Sequence, residues 1–167
     1  MKGELACRRT RSVEIPGRLA VDDDAFVREL LATYLQQAGF QPTAVADGVA
    51  ALEAVERDRF AAVVLDVEMP VMSGIDVARR LRRLPIARRS AIVMHTSIDE
   101  PIVRVDFTDY DAFLPKPCNS VRFAELVKEA IERRGRLYLT QPAQLPSLEG
   151  RQAAPGHGLS EGLPRSP

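Results

Sequence analysis

The sequence predicts an α/β domain on a doubly wound, five-stranded parallel sheet in the order 2-1-3-4-5, with helices on both faces. Three observations lead there. Short apolar runs alternate with helical stripes, the pattern of right-handed crossovers between parallel strands. The runs 62–65 and 91–94 are apolar at every position, as strands covered on both faces must be. Four runs also end in polar groups, and in open sheets of this kind ligand chemistry collects outside the carboxyl ends of the strands.

The elements follow in order. Leu19-Ala20-Val21 is the first strand and ends in Asp22-Asp23-Asp24. Residues 25–38 carry apolar side chains at Phe26, Leu30, Leu31, Tyr34, Leu35 and Ala38, a helical stripe that Gly39 stops. Residues 41–46 form a short strand, and Pro42 near its start suits a sheet edge. Asp47-Gly48 turns the chain into a helix through Arg57. Ala62 to Leu65 is the third strand, followed by Asp66 and a turn through Met69-Pro70 and Ser73-Gly74. Gly74 to Leu84 is helical and Pro85 marks its end. Ala91 to Met94 leads into His95-Thr96-Ser97, and Ala112-Phe113-Leu114 into Pro115-Lys116-Pro117. The last helix runs from Ser120, its expected N-cap, to Arg134, with Phe123, Ala124, Val127 and Ile131 on one face. Residues 98–110 are the poorest match. Asp99-Glu100-Pro101 offers a cap and a first-turn proline, but Val103, Val105 and Phe107 alternate, which favours extended backbone.

If these strands lie parallel, three carboxylates, a hydroxyl and an ammonium meet at one edge. Carboxylates about 5 Å apart repel by roughly 3 kcal/mol per pair at an effective dielectric near 20. Such a cluster calls for a cation, or else its pKa values rise; hard oxygen ligands with open positions suit Mg²⁺, which shares its shell with phosphate oxygens. The chemistry implied is phosphoryl transfer to a carboxylate.

Val21-Asp22-Asp23, then Leu65-Asp66-Val67-Glu68-Met69-Pro70 with Ser73-Gly74, then Thr96-Ser97, then Phe113-Leu114-Pro115-Lys116-Pro117 resemble the receiver domain of two-component response regulators, whose fold is flavodoxin-like. The blocks stand in order, 43 residues from Asp23 to Asp66, 30 to Thr96 and 20 to Lys116. The resemblance covers residues 18–134, leaving 1–17 as an N-terminal extension and 135–167 as a flexible tail. It implies that Asp66 accepts a phosphoryl group from a histidine kinase or phosphotransfer protein. It further implies an Mg²⁺ shell of Asp22, Asp23, Asp66 and the backbone carbonyl of Glu68. Lys116 would pair with the phosphoryl oxygens, Thr96 would hydrogen-bond them, and Phe113 would follow as the switching aromatic. The implied protein is a stand-alone phosphoacceptor rather than an enzyme in the ordinary sense. It would signal to a downstream protein, with no nucleic-acid or membrane partner.

Plainer readings stand beside these. Asp24 is best read as a helix cap. His95 is best read as packing or hydrogen-bonding at its strand end, and Phe113 as core first. Six arginines between Arg79 and Arg89, with no acid among them, read as a solvated helix face in preference to a site for an acidic partner. An alternative for the whole chain is a receiver-shaped binding module rarely phosphorylated. A phosphatase using aspartyl phosphate would need Asp where Glu68 stands.

Composition agrees. At 167 residues one domain with a real core is expected. Lys plus Arg number 23 and Asp plus Glu 23, so no global charge draws the chain to nucleic acid or membrane. Cys7 and Cys118 are too few for a disulfide framework and suit a reducing cytoplasm. No run approaches the ~20 apolar residues of a membrane span. The segment 135–167 holds five Pro and five Gly without apolar period and is expected to be mostly disordered beyond Leu139.

Overall fold

The computed structural model describes residues 16–140, and side chains for 16–137. The proposed extension through residue 15, Cys7 with it, and the tail from 141 lie outside the described residues. The elements are β1 (Gly17–Val21), α1 (Ala25–Gln37), β2 (Pro42–Val45), α2 (Gly48–Arg57), β3 (Phe60–Leu65), α3 (Gly74–Arg83), β4 (Ala91–Thr96), α4 (Glu100–Asp106), β5 (Ala112–Pro115) and α5 (Ser120–Thr140). All four strand pairings are parallel, in the order β2-β1-β3-β4-β5. The expected sheet is the observed one, with Pro42 on its edge strand.

The apolar strands divide their side chains by the two-residue period. Leu19, Val21, Val63, Leu65, Ile92 and Met94 face one layer with Val55 of α2, Val77 and Leu81 of α3 and Val103 of α4. Ala20, Ala62, Val64, Ala91 and Val93 face the other, with Leu31 and Leu35 of α1 and Phe123 and Val127 of α5. Both faces are covered, which is why β4 is buried at all six positions. No helix among the described residues is long and apolar enough to cross a membrane.

Three expectations need correction. The segment 100–106 is helical, not extended. Pro101 sits in the first turn, Arg104 pairs with Glu100 at 2.8 Å one turn away, and Val103 alone of the alternating set is buried in the helix. One buried position suffices for a short helix on the core, and the apparent two-residue period arises because Val105 is 85 % exposed. The last helix begins one residue after its cap, Asn119, whose side chain accepts from Arg122 N at 2.8 Å; Ser120 is already helical. That helix also continues past Arg134 to Thr140. Gly135 does not stop it, because Glu132 and Arg136 pair across it and Arg133 and Arg134 are anchored on Asp111.

Candidate functional site

Register decides the site. Val21 pairs with Leu65, Leu65 with Met94, and Thr96 with Pro115, so the residues just beyond those ends share one edge. The backbone ties them: Asp66 N donates to Val21 O at 3.0 Å and Lys116 N to Thr96 O at 2.9 Å.

Asp22, Asp23 and Asp66 each place a carboxylate oxygen within 4.8 Å of the others. Asp22 and Asp66 are buried, while Asp23 is exposed. Lys116 Nζ stands between them, 2.8 Å from Asp22 Oδ2 and 2.9 Å from Asp66 Oδ2. The second oxygens are held by backbone amides, Asp22 Oδ1 by Asp24 N at 3.0 Å and Asp66 Oδ1 by Glu68 N at 3.3 Å. One ammonium among three carboxylates leaves two negative charges uncompensated. Burial raises the Asp22 pKa above the usual carboxylate range, and this outweighs the nearby ammonium. Burial works against the charge on Lys116 too, but its hydrogen bonds to Asp22 and Asp66 prevail and hold its pKa above the ordinary value. The donor set, all oxygen and one part exposed, fits a hard divalent cation.

Of the remaining expected residues, Glu68 reaches the cluster through its amide, while Thr96 and Phe113 make no side-chain hydrogen bond to its carboxylates among the described residues. Thr96 is fully buried, and its Oγ1 accepts from Ile98 N at 3.3 Å. Phe113 is half-buried against the α2–α3–α4 layer, its ring 6.3 Å from that of Tyr110. Glu68 is exposed at the mouth, joined to Asp66 through its amide. Asp24 caps α1, accepting from Phe26 N and Val27 N, as the plainer reading has it. His95 likewise packs, with Nε2 3.3 Å from Cys118 Sγ and its ring edge-on to Phe123.

Two supports were not expected. Arg28 donates to the carbonyls of Asp22, at 2.8 Å, and Asp23, at 3.3 Å, and so clamps the acidic turn from inside α1. Gly74 lies so close to Asp66 that a Cβ there would overlap the Asp66 carbonyl oxygen. Its place in the Ser73-Gly74 pair signalled it; no pattern signalled Arg28, since a single arginine in a helix carries no mark of what it reaches. The arginine run is also less solvated than expected. Arg82 is buried to 9 % side-chain exposure on Asp111 and the Ser90 carbonyl, and Arg79 donates to Asp106 O.

The comparisons with known proteins agree with this geometry. The family model for the response regulator receiver domain matches residues 19–128. The response regulator MprA of Mycobacterium leprae (strain TN) is 44% identical over 103 residues, 59% of this chain and 43% of that protein. This chain therefore spans less than half the length of the curated relatives it matches first. Among solved structures, the chemotaxis protein CheY4 of Vibrio cholerae shares 29% identity at a TM-score of 0.62, over 71% of this chain and 97% of that one. The receiver domain of the sensor histidine kinase PA1611 from Pseudomonas aeruginosa PAO1 shares 25% at 0.65, over 70% and 98%. That structure is described with a magnesium ion coordinated in its active site cleft. Because the match runs through the whole sheet and takes in its acidic edge, this chain belongs to the response regulator receiver domain family.

Proposed function

We propose that this chain takes a phosphoryl group onto Asp66 from the phosphohistidine of a sensor kinase or phosphotransfer protein, and that the modified form signals by binding another protein. One observation carries the reading: an ammonium, Lys116, held between two buried carboxylates within a cluster of three. In the transfer, a carboxylate oxygen of Asp66 attacks phosphorus as the P–N bond to the imidazole breaks. The leaving imidazole keeps the electron pair, and the new P–O bond is an acyl phosphate. Asp22, Asp23, Asp66 and the Glu68 carbonyl would hold Mg²⁺, which when bound neutralises charge on the phosphoryl oxygens.

The other residues act by position. Lys116, already 2.9 Å from Asp66 Oδ2, pairs with a phosphoryl oxygen. Thr96 Oγ1 accepts from Ile98 N, which leaves its own proton to donate to the phosphoryl group. Phe113, registered with Met94 two residues before Thr96, follows that movement as the switching aromatic. The acyl phosphate hydrolyses in time, so the chain catalyses only its own modification and its reversal.

The test is labelling with acetyl phosphate and Mg²⁺, read on the intact protein by mass. Wild type gains one phosphoryl group and Asp66→Asn gains none. Equal labelling of the variant refutes the assignment, and tight Mg²⁺-dependent binding of beryllofluoride by wild type is expected alongside.

A further inference from the structure

At the opposite end of the sheet from the carboxylates lies a cleft of about 1050 Å³. It opens between the starts of β1, β2 and β3, roughly 13 Å from the acidic edge at four residues of strand rise. Among the described residues its cations are Arg18, Arg57 and Arg59, and its one carboxylate is Asp58. Arg57 is engaged by Glu53 at 3.1 Å. Neither Arg18 nor Arg59 meets a carboxylate among the described residues.

Arg18 is the unusual member. It is only 8 % exposed, its guanidinium lies 3.9 Å over the Phe40 ring, and Nη1 donates to Pro16 O at 2.7 Å. Its buried Nε has no acceptor among the described residues. A buried cation without a counter-ion is costly, and one aromatic face offsets that cost only in part. Desolvation accordingly lowers the Arg18 pKa. A surface arginine is ordinarily solvated, so an ion-pair requirement would not arise; here burial and stacking hold the guanidinium in one plane on the cleft wall.

We infer that this cleft binds a small organic phosphate, with the phosphate on Arg18 and Arg59 and the organic body against Phe40, Pro42 and Ile86. A guanidinium fork matches paired phosphate oxygens, and two cations without a carboxylate partner among the described residues match a dianion better than a single carboxylate. The volume leaves room for a nucleotide-sized molecule, lying just above the roughly 300–1000 Å³ of small-molecule sites. Nothing in this inference depends on phosphorylation of Asp66.

The probe is adenosine monophosphate, titrated into the full chain in EDTA so that no divalent ion recruits phosphate to the Asp22–Asp66 cluster. Binding is followed through the backbone amide resonances of Gly17 and Gly39. Both are expected to shift and saturate. Arg59→Gln, at an exposed position where folding is not at stake, weakens binding about tenfold, the loss of one charge-assisted contact. Arg18→Lys, which keeps the charge and loses the fork, does the same; if it does not fold, Arg59→Gln decides alone. Inorganic phosphate and succinate bind more weakly than the nucleotide. The inference is overturned by shifts that never saturate or appear only around Lys116, by unchanged affinity in Arg59→Gln, or by succinate binding as tightly as the nucleotide.

Discussion

His95 shows how a residue beside a charged site is kept out of its chemistry. It is buried in β4 with one nitrogen on Cys118 and the other, Nδ1, without a partner among the described residues. Burial, helped by the Lys116 charge and opposed by Asp66, pushes its pKa from 6.5 down to about 4. In that interval the unfolded chain takes up a proton that the folded chain refuses. The stability due to neutral His95 is therefore complete above pH 6.5 and lost as pH falls towards 4, roughly 3 kcal/mol in all. Between pH 6.5 and 5 wild type should lose about 2 kcal/mol more than His95→Gln in urea unfolding. Equal slopes would remove this residue from the account. Sequence alone places His95 at a strand end and outside the metal shell. It does not reveal Cys118, 23 residues on, because contacts between loops and strands leave no periodic trace.

Among the elements, the strands were the most legible, since burial on both faces forces unbroken apolar runs such as 62–65 and 91–94. The α4 segment was not, because a seven-residue helix needs one inward side chain and shows no stripe. Hidden too was what binds the elements to one another at Asp111. Its Oδ2 accepts from Arg82 of α3 and from Ile92 N of β4, both at 2.8 Å, and its Oδ1 accepts from Arg134 of α5 at 2.8 Å. The carboxylate is only 2 % exposed, so removing it leaves Arg82 and Arg134, both of limited exposure, sharing the exposed Asp109 alone, and takes from Ile92 N its acceptor. Asp111→Ala should cost about 3–5 kcal/mol in chemical denaturation. Glu53→Ala, which breaks only the exposed pair with Arg57, should cost under about 1 kcal/mol. Comparable losses would mean that the Asp111 network contributes no more than a surface pair.

Among the described residues, the parallel sheet separates charge along its strands, with excess carboxylate at one edge and, at the other, guanidinium that meets no carboxylate at Arg18 and Arg59. The acidic edge exists only when β1, β3 and β5 are in register, so the unfolded chain cannot offer Mg²⁺ the same ligands. Binding to the folded form alone stabilises it by about 2.7 kcal/mol at a hundredfold excess over Kd, several degrees in Tm for a domain of this size. Asp23 is the cleanest probe, being exposed and outside the Lys116 bridge, so its replacement leaves the fold's own contacts in place. Thermal unfolding with and without MgCl₂ should show the rise in Tm for wild type and little or none for Asp23→Asn. A rise of the same size in both would mean that the ion stabilises the protein from somewhere other than the three-carboxylate cluster, and the Mg²⁺ shell proposed for phosphoryl transfer would have to be abandoned.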